Sequence, residues 1–141
     1  MSDAIVYLDY AASTPVDPGV CERMREVSRT AYANPSSTHA AARLTHAAIA
    51  QAAAQLGGLL NVDPDTLVWT SGATEADNLA IAGAARHRAH RGKHIVTMKT
   101  EHKAVTDVFE ALAKEGFELT WVDGDSRGLL DPDAFAAALR D

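Results

Sequence analysis

An α/β fold, with a mainly parallel and incomplete sheet flanked by helices, is predicted by two features of the 141-residue sequence. The first is a regular alternation after Asn61, in which short apolar runs give way to longer runs at helical spacing. The second is punctuation: Gly92 and Gly116 fall at expected helix ends, where the chain reverses easily. The alternation reads as strand Leu67–Thr70, a helix to about His90, strand His94–Met98, helix Ala104–Lys114, strand Phe117–Val122 and a last helix over Asp131–Leu139. Ligands of such folds bind at the carboxyl ends of the strands, which directs attention to the turns after Thr70 and Met98.

Before Asn61 the chain reads as helical. Ile5–Leu8 is a brief apolar run, and Ala11–Pro18 is rich in small residues, Thr and Pro, as an extended loop is. Asp17-Pro18 then starts a helix by the N-cap and first-turn rule, with Val20, Met24, Val27 and Ala31 along one stripe. Cys21 lies one step off that stripe and reads as a small packing residue. Asn34 precedes proline and breaks the helix. An alanine-rich helix follows over about Thr38–Leu56, with Gly57-Gly58 expected to end it or weaken its last turn. His39 and His46 face roughly the same way, but no third ligand candidate completes a metal site. No repeat, low-complexity tract or linker marks a second domain, so residues 1–141 read as a single partial domain.

Composition narrows the function classes. Thirteen basic and nineteen acidic residues give a net charge of −6, against a general nucleic-acid or anionic-membrane surface. A single cysteine permits no intrachain disulfide, and no apolar run nears the roughly 20 residues of a membrane helix. Met1–Val6 lacks the basic start and long apolar stretch of a signal peptide, so a cytoplasmic protein is expected.

The most informative stretch is Thr70-Ser71-Gly72-Ala73-Thr74-Glu75-Ala76-Asp77-Asn78, between the first expected strand and a helical run over Ala76–Arg88. A helix start offers amide hydrogens with no intrahelical partner and a partial positive charge, and Gly72 lets backbone come close to a ligand. Ser71 and Thr74 add hydroxyl donors, so the turn suits a phosphate. An ordinary capped helix explains the same residues, with Ser71 or Thr74 as N-cap and Asp77 as the carboxylate of a capping box. His102 follows a strand at the start of another helix, beside Glu101 and Lys103. His87, His90 and His94 sit near element ends and read as surface residues.

As a string, Thr70–Asn78 resembles the phosphate-cradling turn of the cysteine desulfurases, pyridoxal-phosphate enzymes of the class-V aminotransferase group. Three further stretches match in the same order: Leu8-Asp9-Tyr10-Ala11-Ala12-Ser13-Thr14-Pro15, Asn34-Pro35-Ser36-Ser37-Thr38-His39 and Lys99-Thr100-Glu101-His102-Lys103-Ala104. The resemblance implies the large domain of a fold-type-I pyridoxal-phosphate transferase. It implies that Gly72, Ala73 and Thr74 hold the phosphate of pyridoxal 5'-phosphate, and that His102 stacks on the ring and helps with proton transfer. The implied activity is removal of sulfur from L-cysteine, giving alanine and a protein persulfide. Such enzymes act as homodimers with an iron–sulfur scaffold or sulfur-acceptor protein. The pattern departs at Ala42, where these enzymes usually carry glycine, and at Ala53, where they carry arginine.

The resemblance also calls for a Schiff-base lysine after a Ser-x-His signature and an acceptor cysteine on a later loop, and neither motif is present. The chain is therefore expected to be the amino-terminal part of such an enzyme and inactive alone. It is also expected to be poorly stable, because in the resembled fold later strands separate Leu67–Thr70 from the next two. Two other readings share these residues: a non-catalytic phosphate-binding or complementing module, and a related enzyme such as a selenocysteine lyase.

Overall fold

The computed structural model describes residues 5–140. Residues 1–4, part of the start read above for a signal peptide, and Asp141 lie outside them. The described chain divides into two compact units between Val68 and Trp69.

The first unit is helical. Helix α1, Pro18–Thr30, begins where expected: the Asp17 carboxylate accepts the N–H groups of Gly19 (2.8 Å) and Val20 (3.3 Å), and proline occupies the first turn. Its apolar stripe is thinly covered, with Val27 and Ala31 half-buried and Val20 and Met24 exposed. Cys21 is exposed, not packed as expected, because no residue of α1 is buried. Asn34 turns the chain, its side-chain oxygen accepting Ser36 N–H at 2.9 Å.

Helix α2, Ala40–Leu60, runs through Gly57-Gly58 instead of ending before them. Two glycines cost a helix only about 1 kcal/mol each, and Gly57 has a packing role that offsets this. A Cβ built on it would lie 2.9 Å from the Val62 carbonyl oxygen and 3.0 Å from Pro64 Cγ, so only glycine lets the returning chain close down on the helix. The stop comes at Asn61, whose left-handed φ of 54° ends α2, while Val62 N–H bonds to the Gly57 carbonyl. A 3₁₀ turn, Pro64–Thr66, follows, capped by Asp63.

The second unit carries the sheet. Helix α3 (Ala73–Arg88), strand β1 (His94–Met98), helix α4 (Lys103–Lys114), strand β2 (Glu118–Val122) and helix α5 (Pro132–Ala138) follow in order. β1 and β2 pair in parallel without stagger, His94 opposite Glu118 and Met98 opposite Val122. Leu67–Thr70 forms no strand: among the described residues the sheet has only β1 and β2 and offers it no partner. His94 is half-buried, not a surface residue, with Nε2 2.8 Å from Thr120 Oγ1 on the adjacent strand. Beyond β2 the Asp125 carboxylate accepts the N–H groups of Arg127 and Leu129, and Gly128 takes a φ of 78° that suits glycine. These bonds hold that carboxyl below its usual range and fix the turn into α5.

The core lies under α4. Ala104, Val108 and Leu112, four apart, are buried on one face. Val108, Leu112 and Phe117 form a cluster that Ile81, Ala82, Ala85 and Ala89 of the α3 segment pack against. Phe109 meets Trp121 edge to face, with ring centroids 6.4 Å apart.

Truncating the fully buried Leu112 to alanine is expected to destabilise this unit by about 2–5 kcal/mol. Chemical denaturation followed by tryptophan fluorescence measures it. Gly57→Ala is expected to cost about 1–3 kcal/mol through overpacking in the other unit. Gly58→Ala, with nothing within 4 Å, is the control expected to hold or gain stability.

Candidate functional site: a helix mouth and an imidazole on one sheet edge

Helix α3 begins three residues earlier than the run Ala76–Arg88 suggests, at Ala73, and its N-cap is Gly72 with no side-chain cap bond. The first intrahelical bond is Ala76 N–H to the Gly72 carbonyl (3.1 Å), so the N–H groups of Ala73, Thr74 and Glu75 have no partner among the described residues. All three residues are exposed. Gly72 is extended (φ 161°), a conformation open to other residues, and its value lies in space: a Cβ there would meet no atom within 4 Å.

The capping box differs from the expected one. Neither Ser71 nor Thr74 caps the helix, and Asp77 is not the carboxylate; Glu75 is, its Oε2 accepting both the Ser71 amide (2.7 Å) and the Ser71 hydroxyl (2.5 Å). With glycine as the cap, the reach of the glutamate shifts one residue outward, from N-cap to the residue before it. The Ser71 hydroxyl is thus spent inside the protein, while Thr74 Oγ1 has no partner among the described residues. The Ser71 hydroxyl first, and its amide second, hold the Glu75 carboxyl below its usual range.

His102 is exposed and is itself the N-cap of α4, its Nδ1 accepting Ala104 N–H at 3.1 Å. Histidine is not among the favoured capping residues, so residue type alone does not point to this bond. Neighbouring cations are engaged elsewhere, Lys103 with Asp107 (2.8 Å) and Lys99 with Asp123 (2.9 Å).

The packing sets both helix mouths on one edge. α4 connects parallel strands and so runs antiparallel to them. Arg86 in the last turn of α3 makes a two-pronged ion pair with Glu115 at the end of α4, so the carboxyl ends of the two helices lie side by side. Gly72 precedes Arg86, and His102 precedes Glu115, by about 20 Å of helix at 1.5 Å per residue. The starts of α3 and α4 therefore both lie toward the carboxyl-terminal end of the sheet. Outward amides at a positive helix end, open space before Gly72 and an imidazole on the same edge form a donor set that fits a phosphate ester with an aromatic ring.

Comparison with known proteins decides the family: residues 6–141 match aminotransferase class-V. This chain belongs to that family. Among class-V relatives, the cysteine desulfurases IscS of Methylococcus capsulatus and Dechloromonas aromatica are each 48% identical over 96% of this chain and 34% of their own length. The chain thus spans about a third of the curated relatives it matches. A solved structure of SspA in complex with cysteine superposes with a TM-score of 0.88 at 38% identity, over 95% of this chain and 39% of that one. DndA from Streptomyces lividans gives 0.79 at 34% identity, over 96% and 38%. The two parallel strands with their flanking helices are part of the pyridoxal-phosphate transferase fold shared by these relatives.

The lowered Glu75 carboxyl sets an acid limit on the Ser71–Glu75 bonds. A depressed carboxylate contributes its stability above the unfolded pKa and loses it as pH falls through the folded one. The protection of the Ser71 amide, taken against the unfolded exchange rate at the same pH, is therefore expected to hold at neutral pH and to be lost below the ordinary carboxylate range. Glu75→Gln is expected to remove that dependence while keeping the side chain's length.

Proposed function

We propose that this chain provides the phosphate cradle and the ring-facing imidazole of a pyridoxal-phosphate-dependent cysteine desulfurase. The observation that carries the reading is the mouth of α3, where the exposed amides of Ala73, Thr74 and Glu75 have no partner among the described residues, on the same sheet edge as His102. The 48% identity to cysteine desulfurases across nearly the whole chain supports it.

When bound, pyridoxal 5'-phosphate supplies an electron sink for the bonds of an amino-acid substrate. The Ala73, Thr74 and Glu75 amides bind the phosphate, helped by the helix dipole, and Thr74 Oγ1 adds a donor. Glu75, by fastening Ser71, keeps the turn extended at Gly72 so that these amides face outward. His102 lies against the ring and orients it. The substrate is L-cysteine and the product a persulfide passed to an iron–sulfur scaffold or thio-cofactor acceptor. Turnover, homodimer formation and a cytoplasmic setting are proposed for the whole protein, because the lysine and cysteine motifs the chemistry needs do not occur in these 141 residues.

Ala73→Pro tests the cradle with little effect on the helix, because proline is favoured at the first helical position and the extended Gly72 before it is compatible with that neighbour. Losing one charge-assisted hydrogen bond is expected to weaken pyridoxal 5'-phosphate binding about tenfold or more. Helix content and affinity for unphosphorylated pyridoxal are expected to hold. Unchanged affinity for the phosphorylated form would remove the cradle assignment.

A further inference from the structure

We propose that the main chain of α4 holds neutral His102 as its Nε2–H tautomer, so that the ring meets its ligand as a hydrogen-bond donor. A backbone amide can only donate, and Ala104 N–H lies 3.1 Å from His102 Nδ1, so that nitrogen carries the lone pair. The one proton of the neutral ring is then on Nε2. The backbone fixes the arrangement from both sides: His102 has φ −63° and ψ 150°, and its carbonyl accepts Val105 N–H (2.8 Å) and Thr106 N–H (3.2 Å). His39 repeats the device at the start of α2, its Nδ1 accepting Ala42 N–H at 3.2 Å.

The chemistry follows from this occupancy. A neutral imidazole has a single basic site, and in His102 that site is filled by Ala104 N–H. While capped, the ring offers Nε2–H to an acceptor, and the matching group is an anionic oxygen or sulfur of the bound cofactor or substrate. Histidine here is thus a positioned donor before it is a proton carrier. The identity of that acceptor rests on the cysteine desulfurase reading, whereas the tautomer rests on the helix geometry alone.

Two-bond proton–nitrogen spectra of the histidine-labelled protein at neutral pH read the tautomer directly. His102→Asn identifies the signals and retains a capping oxygen; His102→Ala removes cap and ring together. The expected result is a bare Nδ1 and a protonated Nε2 for His102. Amide exchange in the first turn of α4 is expected to rise several-fold in His102→Ala and little in His102→Asn. An Nδ1–H pattern, or a fast average of both tautomers, would overturn the proposal and leave the cradle untouched. Adding pyridoxal 5'-phosphate is expected to shift the Nε2–H signal. An Nε2–H pattern that ignores bound pyridoxal 5'-phosphate and added L-cysteine alike keeps the tautomer and overturns the donor role, while the cofactor reading is judged separately by whether the cofactor binds.

Discussion

The side-by-side run of α3 and α4 is the constraint on which the rest of the site depends. Ile81, Ala82 and Ala85 on one helix and Val108 and Leu112 on the other share the only buried apolar cluster among the described residues. The Arg86–Glu115 pair locks their ends, but its side chains are 58% and 41% exposed, so screening by water leaves it a small share of the stability. Direction comes from the pair and adhesion from the apolar seam. A slip along that seam would shift the start of α3 relative to the start of α4.

The alanines of α3 make the seam possible. Small side chains at Ala82, Ala85 and Ala89 let the helix lie close to α4 and Phe117 without displacing larger groups. The first turn is arranged to leave its amides unused: glycine caps without a side chain, and glutamate bonds to the residue before the cap. An Asp or Ser cap would have taken up one of those donors internally. The local sequence thus forgoes some helix stability in favour of an anion-receptive end.

Much of this was legible in the sequence where the signal was local. Asp17-Pro18 marked one helix start correctly, and the alternation after Asn61 placed the helices expected at Ala104–Lys114 and Asp131–Leu139 within one residue of their observed starts. Ser71 and Asp77 misled because a capping box was sought with a hydroxyl cap, whereas the glycine moved the partner to Glu75. Gly57-Gly58 misled because helix propensity was weighed without the returning chain that Gly57 accommodates. The expected strand at Leu67–Thr70 has the right residues and no neighbour, and a strand exists only through pairing. The turn after Met98 that carries His102 was legible as the carboxyl end of a strand, but the His102 bond to Ala104 depends on ring orientation, which no spacing encodes.

The unstaggered register of β1 and β2 makes α4 a measuring rod. Twelve helical residues cover about 18 Å and five strand residues about 16.5 Å, so the return path is matched almost to one residue. Inserting or deleting a single position in that helix would swing its leading residue by about 100° around the axis. Length variation among proteins built this way should therefore collect in the turn between Val122 and Pro132 and avoid the crossover, where geometry tolerates no slack.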